Sequence, residues 1–183
     1  MSTVNFTKIW WGKILKDKNK LEMFLSNLHN TEEEAEDRFR LFAETYCKDD
    51  KESYDLFMQI SGEEKNHALM IKDLIKNLGF ELGFKKESKY FKHTLNCVKD
   101  KISAAAIGAF AEGLSLKRLR VIIKDENTPT EIKSVFSLIE KDESNHTKYL
   151  QSIAGQYGMK DLKDCHDKGL EKLGLLILSK KIQ

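Results

Sequence analysis

Glu64-Lys65-Asn66-His67 and Glu143-Ser144-Asn145-His146 are two copies of one spacing, a glutamate followed three residues later by a histidine. On an α-helix, positions i and i+3 share a face, so each copy presents one carboxylate oxygen and one imidazole nitrogen to the same point in space. As a bare pattern this is weak, because five histidines and 17 glutamates in 183 residues produce about 0.5 such pairs by chance. Phase is what strengthens it. With Leu56 as origin, the apolar positions around the first copy (Leu56, Ile60, Ala68, Ile71, Leu74, Ile75, Leu78) centre near about 50°, with Glu64 near about 80° and His67 near about 20°. Around the second copy, Ile132, Val135, Phe136, Ile139, Leu150, Ile153 and Ala154 form an apolar face that also contains Glu143 and His146. Four ionisable side chains are therefore directed inward.

Burying a lone carboxylate costs several kcal/mol, so inward glutamates require a proton or a cation, and a divalent metal is the natural one. Two further amphipathic stretches each supply one inward glutamate. Glu32 aligns with Ala35, Phe39 and Ala43, and Glu112 aligns with Ile102, Ala105, Ala109 and Leu116. Four glutamates and two histidines from four helices make a six-residue dimetal set. Glu36 competes with Glu32 for the first position but lies about 60° off the apolar centre. Glu140 is further out of phase and reads as surface. His29, His93 and His166 lack inward carboxylate neighbours and read as structural or exposed. Asp142 and Glu63 each precede a motif glutamate; each is an ordinary surface acid or accepts the outer N–H of the histidine on the partner helix, which would fix that ring's tautomer.

Working outward, the chain reads as all-α. Its composition is 40% hydrophobic and 33% charged with a single proline, which suits a single helical domain rather than a β-sandwich or a disordered chain. Ile9, Trp10, Ile14, Leu21, Phe24, Leu25 and Leu28 suggest one or two short helices over residues 1–30, with a polar interruption at Asp17 to Lys20. Thr31-Glu32-Glu33-Glu34 resembles a capping box and predicts that the first bundle helix starts there and runs to Cys47. The second runs from about Ser53 to Leu78 and stops at Gly79. Thr128-Pro129-Thr130-Glu131 predicts the start of the fourth, with Thr128 as cap, and Gly158 its end near Tyr157. A last helix over about Leu162 to Lys180 places Leu170, Leu173 and Ile177 on one side.

Net charge is only +2, from 31 basic and 29 acidic residues, so no global field points to nucleic acid or an anionic membrane. Lys117, Arg118, Arg120 and Lys124 form one local basic cluster. Cys47, Cys97 and Cys165 are odd in number and widely spaced, which argues against a disulfide framework or a thiolate metal site and suits a reducing cytoplasm. The longest apolar run, Leu175 to Leu178, is too short to span a bilayer, and no signal-peptide pattern opens the chain.

Over residues 31–157 the motifs resemble the ferritin-like di-iron superfamily. Glu32-x-x-Ala35-x-x-Arg38-Phe39-x-x-Phe42-Ala43 resembles the first bundle helix of rubrerythrins. Glu32-x-Glu34-Ala35-x-Asp37-x-Phe39 and Lys141-Asp142-Glu143-x-x-His146 resemble aldehyde-deformylating oxygenases. The resemblance implies a ferritin-like four-helix bundle over 31–157, flanked by accessory helices over 1–30 and 158–183. It implies two iron ions, with manganese also compatible with the ligand types. Glu64 and Glu143 would bridge them, His67 and His146 would bind one each, and Glu32 and Glu112 would be terminal.

In that fold the second and third bundle helices are parallel. A single helix from Tyr90 to Glu112 would start about 33 Å before the site while the second helix ends about 21 Å beyond it. Eleven residues reach at most about 36 Å and cannot close a gap of about 54 Å. A break near Lys99 to Lys101 is therefore expected, with residues 79–101 as a long crossover and the third helix starting near Ile102.

Rubrerythrins carry a second glutamate three residues before the third-helix ligand, where Ala109 stands here, and a four-cysteine module. A radical tyrosine of the ribonucleotide reductase type is replaced by Ile71. The leading expectation is an oxygenase or oxidase that activates O2 or peroxide at two ferrous ions about 3.5–4 Å apart. It would draw on an unidentified electron donor and act on a small organic substrate as a monomer or homodimer. The alternatives are a ferritin-like iron oxidation and storage protein, which would assemble a large shell, and a tRNA-modifying hydroxylase using the basic cluster.

Overall fold

Aspartates open three of the helices by accepting a backbone N–H that the first turn leaves unpaired. Asp17 accepts from Lys20 N at 3.2 Å, Asp50 from Ser53 N at 3.1 Å and Asp100 from Ser103 N at 2.8 Å. The Ser103 hydroxyl also accepts from the Asp100 N–H, closing a reciprocal box. A computed structural model of the chain describes residues 3–83 and 89–172. Among the described residues all regular structure is helical: α1 (Thr3–Leu15), α2 (Lys18–Tyr46), α3 (Lys51–Asn77), α4 (Lys89–Thr94), a 3-10 turn (Leu95–Cys97), α5 (Lys101–Lys124) and α6 (Thr130–Lys172).

The bundle consists of α2, α3, α5 and the first part of α6, with α2 packed along α3 and α5 along α6. A crossover containing α4 joins α3 to α5, and α5 starts at Lys101, where the distance argument places the break. The apolar interior falls into two parts. One gathers Phe39, Phe42, Phe57, Ile60, Ala105 and Leu150; the other gathers Leu25, Ile71, Leu74, Leu119, Ile132 and Phe136. On every bundle helix the inward acid lies between its contributions to the two, so the polar residues form one layer across the core. α1 closes the second part, with Trp11 fully buried and its indole N–H donating to the Thr128 hydroxyl at 2.7 Å.

Several expectations are corrected. The first bundle helix does not start at Thr31: α2 is continuous from Lys18, so the boundary at residue 30 falls inside a helix. The Thr31 hydroxyl donates to the Asn27 carbonyl one turn back at 2.8 Å, a mid-helix use of threonine that mimics a cap in sequence. Thr128 is not a simple cap either, because its hydroxyl donates to the Ile122 carbonyl at 2.8 Å while accepting from Trp11. The fourth helix breaks at Gly155 (φ 60, ψ 175) rather than at Gly158, and helix continues beyond it. Gly158 is instead a packing position, where a Cβ would lie 2.5 Å from Ile102 Cγ2. Ile102, expected to face inward, is 46% exposed at the start of α5. Leu173 and Ile177 lie outside the described residues.

Cys97 and Cys165 form a disulfide between the crossover and the outer part of α6. Proximity in space, which residue spacing does not report, overrides the odd cysteine count and withdraws its support for a reducing compartment. Cys47 is free and buried. No described helix is long and apolar enough to cross a membrane.

Candidate metal centre

Glu32 on α2, Glu64 and His67 on α3, Glu112 on α5, and Glu143 and His146 on α6 converge in the polar layer. All are 5% exposed or less. They fall into two sets of four, Glu32/Glu64/His67/Glu143 and Glu64/Glu112/Glu143/His146, in each of which one potential ligand atom per residue lies within 4.8 Å of the others. Glu64 and Glu143 belong to both sets. The two imidazoles lie 5.9 Å apart between ring centres. Nδ1 of His146 is 3.0 Å from Glu64 and 3.6 Å from Glu143, and Nδ1 of His67 is 3.6 Å from Glu64.

The outer face of each imidazole is held by the other motif helix. Nε2 of His67 lies 3.2 Å from Asp142 Oδ2, and Nε2 of His146 lies 2.6 Å from Glu63 Oε2. A carboxylate there accepts a hydrogen bond from the Nε2–H and leaves Nδ1 as an inward lone pair. Asp142 and Glu63, for which the sequence left this part open beside that of a surface acid, lie in a reciprocal arrangement. Glu36 joins neither set; it pairs with Lys65 at 3.6 Å. Glu140 pairs with Arg120 at 2.7 Å, so part of the basic cluster is neutralised.

The charge balance shows what the layer needs. Burial, then the charge of Glu64, pushes the Glu32 carboxyl well above its usual range; burial, then Glu112, does the same to Glu143. Burial also raises Glu112. Burial pushes Glu64 up as well, but the close imidazoles of His146 and His67 hold it below the ordinary carboxylate range. For His146 burial acts downward, and contacts with Glu64 and Glu63 outweigh it and lift the ring to about 9. Protons are thus one way to neutralise the cluster. Both oxygens of Glu64, Oε2 of Glu143 and Nδ1 of both histidines are nevertheless buried without a hydrogen-bond partner. Orphaned lone pairs facing one another are costly unless a cation receives them. Four carboxylates and two neutral imidazoles suit ferrous or ferric iron, which accepts mixed oxygen and nitrogen donors.

Three further residues, which the sequence did not single out as site residues, border the layer, Arg38 having figured there only within a motif. The Ser115 hydroxyl donates to Glu143 at 3.5 Å. Arg38 is buried, its guanidinium 3.5 Å from the centre of the Phe91 ring, and its charge acts on Glu112, Glu64 and Glu32. Tyr90, from the crossover, meets His166 on outer α6. Phe91 and Tyr90 reach these places only because the crossover folds back on the bundle.

Fold and site together define a ferritin-like helical bundle with a buried two-metal carboxylate–histidine layer. The chain matches the rubrerythrin family over residues 24–158 and belongs to it. Bundles of that family bind a di-iron centre, and the six-residue set is compatible with one. No curated protein and no solved structure matches the chain.

Proposed function

We propose that this protein is a non-haem di-iron oxidoreductase that activates O2 or peroxide to oxidise a small organic substrate. The supporting observation is the pair of overlapping donor sets sharing Glu64 and Glu143, enclosed between two apolar half-cores. In this reading Glu64 and Glu143, common to both sets, would serve both irons, Glu32 and His67 would hold one, and Glu112 and His146 would hold the other. Bound iron supplies the electrons that reduce dioxygen, and carboxylate ligands tolerate its change of charge. The chain does the remainder. Asp142 and Glu63 keep each histidine in the Nδ1-ligating tautomer, the apolar layers exclude bulk water, and Arg38 offsets the excess negative charge.

The test is anaerobic loading of the purified chain with ferrous iron, then exposure to air under optical and Mössbauer observation. Two irons per chain and their oxidation are expected; fewer than two, or no oxidation, overturns the proposal. An iron-storage protein would instead take up many irons per chain and elute as a large shell on size exclusion. α1 and the crossover cover bundle surfaces with buried Trp11, Tyr90 and Phe91, which favours a monomer or dimer.

A further inference from the structure

Beside the metal layer, the crossover and outer α6 hold a second buried polar pair. Tyr90 is 3% exposed, and its hydroxyl lies 2.7 Å from Nδ1 of His166. The His166 ring is clamped, stacked on Phe110 at 4.4 Å with 8° between planes and edge-on to the Tyr90 ring at 5.7 Å. Phe110 precedes Glu112 by two residues on α5. On its other side Tyr90 meets Phe91 at 5.0 Å, and Phe91 carries the Arg38 guanidinium. Gly169 lets α6 press against the phenol ring, since a Cβ there would lie 2.8 Å from Tyr90 Cδ2. The phenol is thus fixed between its imidazole partner and groups that border the site, close enough that the charges of Arg38 and Glu112 act on it.

Burial raises the Tyr90 phenol far above its usual range, against the opposing charge of Arg38 and with a smaller push from Glu112, and burial holds His166 down at about 4. Both are neutral at pH 7, so the phenol donates and Nδ1 accepts. A phenol in a dry interior loses an electron easily only if its proton leaves at the same time, because otherwise a new positive charge is stranded where solvation is poor. A hydrogen-bonded neutral imidazole lowers that barrier by taking the proton, which moves the charge from the buried phenol to the half-buried His166 ring, where the charge of Asp167 favours it.

We propose that Tyr90 is a one-electron redox residue serving the di-iron site, with His166 as its proton acceptor; this rests on the oxidoreductase reading above. After O2 or peroxide has oxidised the two-metal centre, Tyr90 passes one electron to it and the phenol O–H bond breaks. The proton forms a new N–H bond at Nδ1 of His166. The products are a neutral tyrosyl radical, an imidazolium and a centre one electron more reduced, and the reverse transfer restores the phenol.

The experiment uses the full chain. Ferrous protein is mixed with O2 or hydrogen peroxide, and freeze-quenched samples are examined by Mössbauer and electron paramagnetic resonance spectroscopy. A tyrosyl radical signal is expected in the native chain. Tyr90→Phe, which removes only the hydroxyl, should lose that signal while iron still loads and oxidises, and His166→Phe should lose it too. In the metal-free chain, histidine 15N resonances should show Nδ1 of His166 unprotonated and hydrogen-bonded, a state altered by Tyr90→Phe. Iron oxidation without a radical, or with a radical that survives Tyr90→Phe, overturns the Tyr90 step alone. Failure to load or oxidise iron removes the oxidant and overturns both readings. A hydrogen bond that merely ties α4 to α6 would leave the variants less stable with no radical to lose.

Discussion

Glu64 and Glu143 each belong to both donor sets, whereas Glu32, His67, Glu112 and His146 belong to one. Glu64→Ala or Glu143→Ala should therefore abolish binding of both irons, while His67→Ala or His146→Ala should retain roughly half the iron. Metal analysis after gel filtration distinguishes the two outcomes. Asp142→Ala and Glu63→Ala remove only the carboxylate behind a histidine. Each should weaken iron binding by about 10–100-fold while the helical circular dichroism is unchanged; equal affinity in titrations against a competing chelator would show that these contacts do not orient the rings. The inward placement of the six candidate residues was legible because helical phase is a local property, and the preference for Glu32 over Glu36 rested on it. Ser115, Arg38 and Tyr90 were not, because each acts on the site from a direction that depends on where another helix lies.

The helix starts show a similar division. Asp50 caps α3 with one oxygen and hydrogen-bonds the ammonium of Lys101, at the start of α5, with the other. The Lys101 hydrogen bond, then that from the Ser53 backbone, lowers the Asp50 carboxyl from 3.8 to about 2. A group depressed on folding stabilises above its unfolded value and loses that contribution as pH falls through the folded one. Native protein should thus lose part of its stability between about pH 4 and 2 that Asp50→Ala has already lost at neutral pH. Thermal melts across that range check it, and the difference should shrink in high salt because the pair is half exposed. Gly169 tests the docking of outer α6 on α4. An alanine there would meet Tyr90 at 2.8 Å and Thr94 Cγ2 at 2.9 Å, and Gly169→Ala should cost about 1–3 kcal/mol in denaturant unfolding as an overpacked contact. Thr31 carries the opposite lesson: a threonine followed by three glutamates reads as a helix start, and only continuity with the turn before it shows otherwise.

At the scale of the molecule, the Cys97–Cys165 bond joins segments 68 residues apart, around α5 and most of α6. In the chain-entropy account a loop of that length contributes about 4 kcal/mol. Reduction, or the double substitution Cys97→Ser with Cys165→Ser, should lower the guanidinium midpoint accordingly, and an unchanged midpoint would mean that packing alone holds the crossover. By itself the sequence determined the all-α class, the presence of four bundle helices and the inward layer of four acids and two imidazoles, and, once the resemblance made the second and third of those helices parallel, a crossover ending near Lys101. Each follows from helical periodicity, rise per residue or the cost of burying charge, all of which act along a single stretch of chain. Tertiary structure alone decided that α2 runs unbroken through Thr31, that α6 turns at Gly155 and continues, that two cysteines pair, and that Tyr90 meets His166. Those outcomes depend on which distant surfaces come together, and contacts between segments far apart in the chain leave no period in it.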